Sequence, residues 1–303
     1  MSDRVRVDEV LTSLLNLCTP LEPFDMPLLD AHGATLAEDV YAGERLVMKA
    51  GSRIRSTQIG LAASIGLDHL PTRPHPRVVV LSAGPDLVEP GMALTGDEEY
   101  ETNSWLLTTA VRETGAVAYR VHSIPENEDQ LKDAIEDQMV RADLIIISGE
   151  RHDDSFDLIT RTLQKLGEVS AVEVAIDSSG RHNYGTIGPD KVPVVTLPGD
   201  PIAAYISFEL LVRPMIRTML GAATIHRPSV KARLEKGLTS NPGVRSYIRG
   251  ILSEDGTSVS PLGSQDEQAT LSDANAFIAI SENDGEVAAG SEVTVVVLER
   301  RYI

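Results

Sequence analysis

Three short stretches place glycine beside hydroxyl or carboxyl side chains directly after apolar runs: Ser82-Ala-Gly-Pro-Asp86, Ser148-Gly-Glu150 and Leu197-Pro-Gly-Asp-Pro201. Glycine after a strand lets a ligand come close to the backbone. The strand ends of an open α/β sheet are where such proteins bind ligands. One such turn is ordinary, but three that end strands of one sheet would line one pocket. In the third, Pro201 suits the first helical position and Asp200 suits the N-cap before it. A helix start of this kind offers backbone N–H groups to anions. The pocket candidates are therefore Ser82, Gly84, Ser148, Gly149, Pro198, Gly199, Asp200 and Pro201. The segment Glu150-Arg-His-Asp-Asp-Ser-Phe-Asp157 adds four carboxylates and one histidine. Such a loop suits acid–base or metal chemistry. It equally suits a solvated loop in which Asp153 or Asp154 caps the next helix. The spacing pairs no two histidines, so no metal site is expected. In Ile176-Asp-Ser-Ser-Gly-Arg181 only Arg181 is cationic, and Asp177 would repel an anion, so side-chain charge argues against a phosphorylated or oxyanion-carrying substrate.

The elements that must position these residues follow from hydrophobic period. Apolar residues at Val7, Val10, Leu11, Leu14, Leu15 and Cys18 predict an amphipathic helix over Val5–Cys18. Asp30–Val40 reads as a turn and a short element, and Gly51–Leu70 as a second helix with Ser56 as its cap. Thr72-Arg-Pro-His-Pro76 reads as a stiff linker. Strands are expected at Arg77–Ser82, Val117–His122, Asp143–Ser148, Glu173–Ile176 and Val192–Leu197. Helices are expected at Asn103–Thr114, Glu128–Val140, Phe156–Leu166 and about Ile202–Leu220. Strand and helix in alternation imply a mostly parallel sheet covered on both faces. After Pro228 the pattern turns to short alternating strands: Val230–Leu238, Arg245–Leu252, Ser258–Pro261, Ala276–Ile280 and Glu292–Leu298. Turns at Asn241-Pro-Gly243, Glu254-Asp-Gly256 and Asn283-Asp-Gly285 separate them, as in a small barrel. The expected fold is a three-layer α/β domain with an N-terminal helical segment and a C-terminal β-barrel. The expected boundaries are 1–71, 72–225 and 226–303.

Bulk composition narrows the function classes. Of 303 residues, 45 are acidic and 27 basic, for a net charge of −18. That balance excludes a general nucleic-acid or anionic-lipid surface. A single cysteine, Cys18, excludes a disulfide framework within the chain and fits a reducing compartment. No apolar stretch approaches a membrane span and no signal-peptide core is visible, so a cytoplasmic protein is expected.

Taken together, the motifs resemble the molybdopterin molybdenumtransferase family, whose eukaryotic relative is the gephyrin E domain. The resemblance is carried by Leu36-Ala-Glu-Asp-Val40, Gly51-Ser-Arg-Ile54, Ser82-Ala-Gly84 with Val88-Glu-Pro-Gly91, Tyr100-Glu-Thr-Asn103, Asp143–Gly149 and Leu197–Pro201. Ala274-Asn-Ala276 and Ala289-Gly-Ser-Glu292 extend it into the last domain, so it runs from about residue 5 to 298. It implies an elongated homodimer, and it leaves Asp86 and Asp157 as remnants of the family's acidic positions with no residue assigned as catalytic. The departures are equally specific. Tyr41–Ala50 runs straight on where the family inserts a whole domain that helps close the site. Pro85 stands at a functional aspartate. Glu150 and Asp154 replace glycines, the segment Asp177-Ser-Ser-Gly-Arg181 loses both lysines of the family's Lys-Pro-Gly-Lys-Pro, and Asp200 replaces asparagine.

These losses make a dismantled site the expectation: a non-catalytic, gephyrin-like dimeric scaffold with no cofactor. By resemblance, its partners would be peptide tails of a tubulin-like cytoskeletal or cell-division protein, or of a membrane receptor. A partner of that kind would recruit it to the membrane or division site. By position, Asp8, Leu11, Ile280, Ser281 and Glu282 would line the peptide groove. The alternative is a working molybdopterin molybdenumtransferase that inserts molybdate into adenylylated molybdopterin with Mg²⁺.

Overall fold

A computed structural model describes residues 4–299, apart from 85, 97, 124–126, 150–152, 178–179 and 264–266. Helix α1 (Val7–Leu15) is shorter than its apolar period suggests. Its Val7, Val10 and Leu14 sit in one core with the α/β layer, so the helix belongs to that layer. The chain then builds a small module. Strands β1 (Phe24–Pro27), β2 (Thr35–Leu36), β3 (Val40–Ala42) and β4 (Arg45–Met48) precede α2 (Ser56–Ser64) and β5 (His69–Arg73). β5 pairs with both β1 and β2, and β3 with β4 forms a hairpin around a core that includes Leu36, Met48 and Ile54. Two expectations change here. Tyr41–Ala50 does not run straight into a helix; it folds back as the β3–β4 hairpin. Thr72 and Arg73 are strand residues, Thr72 fully buried, so the stiff linker shrinks to Pro74–Pro76.

The central sheet begins with β6 (Arg77–Ala83). A two-residue ladder, β7 (Leu87–Val88) with β8 (Glu99–Tyr100), then leads into α3 (Asn103–Thr114), which ends on Gly115 at φ 105°. There follow β9 (Val117–Ser123), α4 (Glu128–Met139), β10 (Leu144–Ser148), α5 (Asp153–Leu166), β11 (Gly167–Glu173), β12 (Arg181–Ile187) and β13 (Val192–Leu197). The order across the sheet is β11-β12-β13-β10-β6-β9. β13, β10, β6 and β9 are parallel, while β12 is antiparallel to β13 and β11 to β12. The strand expected at Glu173–Ile176 lies upstream instead, and β12 was not foreseen. Both strands are half-polar, so they lack the continuous β-branched run that marks buried parallel strands. β6, β10 and β13 have that run and are buried on both faces. Val78 and Val80 of β6 face α3, whereas Val79 and Leu81 face α4 and α5.

After β13 one long helix runs through α6 (Pro201–Ser207), a π-helical turn (Phe208–Val212) and α7 (Arg213–Met219). The widened turn has a cause in the sequence. Pro214 has no N–H for Leu210, and its ring would press on that carbonyl. The turn opens just upstream, where the Arg213 N–H bonds the Phe208 carbonyl five residues back. Beyond it β14 (Ser229–Leu234), β16 (Ser246–Leu252), β17 (Ser258–Pro261), β18 (Ala276–Ile280) and β20 (Glu292–Val297) close a barrel. A side ladder of β15 (Leu238–Thr239) with β19 (Glu286–Val287), and helix α8 (Glu267–Asp273), complete the domain. Among the described residues no helix is long and apolar enough to cross a membrane.

Candidate functional site

β6 and β10 are neighbours, yet their connections leave in opposite directions. β6 passes through α3 on one face to β9, and β10 passes through α5 on the other face toward β11–β13. This is the topological switch point at which open α/β sheets form a ligand crevice beyond their strand ends. In register there, Ser148 pairs with Ser82 on one side and with Leu197 on the other. The three turns singled out in the sequence therefore do meet at one edge. Gly149 is closely packed: a Cβ on it would stand 3.1 Å from Ile159 Cδ1, which would have to give by a few tenths of an ångström. Gly84 is buried.

A residue not picked out as a ligand candidate joins these turns. Asn103, first residue of α3 and 6 % exposed, donates through Nδ2 to Ser148 Oγ (2.8 Å) and to the Gly199 carbonyl (2.7 Å). Ser148 Oγ also reaches the Pro198 carbonyl at 3.3 Å. Next to it Glu101, 1 % exposed, caps α3 by accepting from Ser104 N (2.7 Å) and Ser104 Oγ. Arg120 stacks 4.2 Å over Trp105 and binds Glu89 at 2.6 Å, tying the loop after β7 to the same corner. The only advance signal was the Tyr100-Glu-Thr-Asn103 motif, because the contacts of Asn103 span 45 and 96 residues of chain.

The carboxylates that argued against an anionic ligand are already engaged. Asp200 Oδ1 caps α6, accepting from Ile202 N (3.0 Å) and Ala203 N (2.9 Å) ahead of Pro201. Asp177 accepts from Asn241 Nδ2 (3.2 Å) and Ser246 Oγ (3.1 Å) beside a cavity of about 270 Å³ between α6 and the barrel. Arg181 forms an ion pair with Asp157 at 3.1 Å and lies 4.3 Å over Phe156. These hydrogen bonds, which only the fold makes, hold Asp200 and Asp177 in place without removing their charge, while Asp157 has the cation Arg181 beside it. Asp86 is exposed at the rim, and its carbonyl accepts from Glu99 N at 2.9 Å. Pro85 and Glu150 lie outside the described residues. Among the described residues no three His, Cys, Asp or Glu side chains cluster closely enough to hold a metal ion.

Of the residues assigned to a peptide groove, Asp8 and Glu282 join an internal clasp, and Ile280, Ser281 and Glu282 line a cavity of about 470 Å³. Arg245 on the barrel binds Asp8 of α1 (3.1 Å) and Glu282 (3.2 Å), and Arg6 reaches Glu282 at 3.2 Å. The hydrogen bond from Arg245 holds the Asp8 carboxyl below its usual range. Ile280 is 2 % exposed, in the barrel core. Leu11 is half-buried against the α/β core, and Ser281 Oγ accepts from Asn283 N.

An α/β sheet with its crevice at this switch point, joined to a closed barrel, defines a ligand-binding α/β protein. A profile described as "Probable molybdopterin binding domain" matches residues 79–218, and one described as "MoeA C-terminal region (domain IV)" matches 231–298. Molybdopterin molybdenumtransferase 1 of Mycobacterium tuberculosis is 32% identical over 270 residues, covering 86% of this chain and 63% of that protein. Molybdopterin molybdenumtransferase 2 of the same organism is 34% identical over 266 residues, covering 85% and 65%. The chain thus spans just under two thirds of the length of these relatives. The crystal structure of a molybdopterin biosynthesis moea protein from Pyrococcus horikosii shares the fold, with TM-score 0.83, 20% identity and coverage of 98% of this chain and 100% of that one. The chain belongs to the molybdopterin molybdenumtransferase family that includes the gephyrin E domain. These relatives overturn the scaffold reading, since they bear the name of an enzyme. Likewise, the expectation of no cofactor loses its support in a family whose named business is molybdopterin.

Proposed function

We propose that this chain is a molybdopterin molybdenumtransferase that joins molybdate to adenylylated molybdopterin, both held beyond the ends of β6, β10 and β13. The observation that carries the proposal is the tie made by Asn103 among α3, Ser148 and Gly199, at the switch point of the sheet. It fixes the spacing of two of the three strand-end turns, and pre-set spacing is what brings two bound reactants together. The start of α5 supplies a positive backbone end for the anionic parts of the substrates, whereas at α6 Asp200 already takes the N–H groups of Ile202 and Ala203. Arg181 fixes the Asp157 carboxylate by ion pair and keeps it from repelling them. Mg²⁺ is commonly held by one or two carboxylates together with substrate phosphates, and no group of three or more ligating side chains is found among the described residues, so no step is assigned to it. The dimer implied by the resemblance remains part of this proposal, and light scattering on the purified chain would report it.

The test is conversion of adenylylated molybdopterin and molybdate by the purified full chain, followed by reconstitution of a molybdenum-dependent reporter enzyme. Turnover beyond one equivalent is expected. No conversion by a folded chain, with both substrates present, overturns the proposal.

A further inference from the structure

Among the described residues, the buried polar atoms Ser82 Oγ and Asn103 Oδ1, both beside the strand ends, have no hydrogen-bond partner. Ser82 is 1 % exposed and Asn103 6 %. A buried polar atom left unpaired costs about 1–3 kcal/mol, and most such atoms in folded proteins find a partner. Both stand next to Ser148. Ser82 pairs with it across adjacent parallel strands and shares its face of the sheet, since Val80 and Ile146, two residues before each, point into the α3-side core. Asn103 bonds its Oγ directly.

The amide orientation of Asn103 is not arbitrary. Its second donor contact is to the Gly199 carbonyl, which can only accept, so that position must be the nitrogen. The remaining atom, Oδ1, can then only accept. A molybdate or phosphate oxygen at neutral pH is itself an acceptor and cannot satisfy it. An N–H can. Ser82 Oγ can donate or accept, so the pair presents an acceptor beside a hydroxyl. That pattern complements a heterocyclic edge carrying an amide N–H beside a carbonyl, as the pterin ring does.

Resting on the function proposed above, we infer that Asn103 Oδ1 and Ser82 Oγ recognise the amide edge of the pterin ring, which enters the cleft between β6 and β10 first. The phosphate and dithiolene end then lies outward, toward the helix starts. Asn103 is in this sense both a positioning residue for the turns and a specificity residue for the ring. Closing these two orphaned atoms with ligand hydrogen bonds recovers a cost that the free protein carries.

The test uses pterin itself, a fluorescent heterocycle without phosphate or dithiolene, titrated into the full chain. Binding is expected, and it should weaken about tenfold in Ser82→Ala, as loss of one buried hydrogen bond predicts. The same variant removes an unsatisfied hydroxyl, so its unfolding midpoint should stay level or rise, which a merely structural serine would not show. On the wild type, 3-methylpterin, which lacks the ring N–H, should bind about tenfold more weakly than pterin. Equal affinity of Ser82→Ala and wild type for pterin, or equal affinity of the wild type for pterin and its methylated form, overturns the inference. A wild type that inserts molybdate yet ignores free pterin also overturns it, while leaving the function standing.

Discussion

The most exposed wager at the level of single residues concerns His182. It lies fully buried at the start of β12, with Nδ1 3.3 Å from the Gly180 carbonyl and Nε2 3.1 Å from Ser207 Oγ. Gly180 can only accept, so Nδ1 carries the proton of the neutral ring and Nε2 accepts from Ser207. Burial pushes its pKa down from 6.5 to about 4. Between those two values the unfolded chain binds a proton that the folded chain refuses. Stability is therefore full above pH 6.5 and falls as pH drops toward 4, by about 3 kcal/mol if the whole shift is expressed. The carboxylates of the clasp act elsewhere. Asp8 and Glu282 are held below their ordinary 3.8 and 4.5, so what they contribute is lost only as pH falls past those values. Urea melts of His182→Asn from pH 7 to 4 should show a flatter profile than wild type above pH 4.5. Parallel profiles would mean that the buried imidazole is not what acid attacks.

Elements with a local cause were legible in the sequence, and contacts that join distant segments were not. The bounds of α3 match the reading to the residue, because Gly115 supplies the left-handed stop that a helix of this length needs. β6, β10 and β13 announced themselves by unbroken apolar runs. β12 stayed hidden because its alternation is interrupted by Gly185, whose reason is a neighbour that the sequence does not show. A Cβ on Gly185 would stand 2.0 Å from the Glu168 carbonyl oxygen and 2.8 Å from Val169 Cα of β11. Nothing at either place is a flexible side chain, so backbone must move. Gly185→Ala should cost about 2–3 kcal/mol, at the upper end for overpacking. Because β12 also carries Arg181 and His182, the damage should spread to the site. Hydrogen exchange would show faster opening of amides across 167–173, and a variant with wild-type protection there would refute the close approach.

At the scale of the whole molecule, the barrel is held to the α/β layer by two ion-pair groups of opposite character. One is the clasp of Arg245 with Asp8 and Glu282, at which the Asp8 side chain is 61% exposed. Exposed pairs are screened by salt and are worth little. The other is buried. Glu209, 4 % exposed in the π-helical turn, receives Arg227 at 2.8 and 2.7 Å, and Arg213 approaches to 3.7 Å. Arg227 in turn donates to the Leu298 carbonyl at the end of the barrel, at 2.9 Å. Removing the carboxylate leaves two guanidinium groups facing each other out of water, which is why breaking one partner of a buried pair costs far more than the pair contributes. Glu209→Ala should therefore lose about 3–5 kcal/mol, nearly independent of salt, whereas Arg245→Met should cost less and lose most of its effect in 1 M salt. Replacing Glu209 and Arg227 together by Leu and Met should recover part of the loss, since Arg213 then faces no second cation. Denaturant titrations of the variants at low and high salt decide the matter. If Glu209→Ala proves as mild and as salt-sensitive as Arg245→Met, the buried group is not what fixes the barrel to the α/β layer.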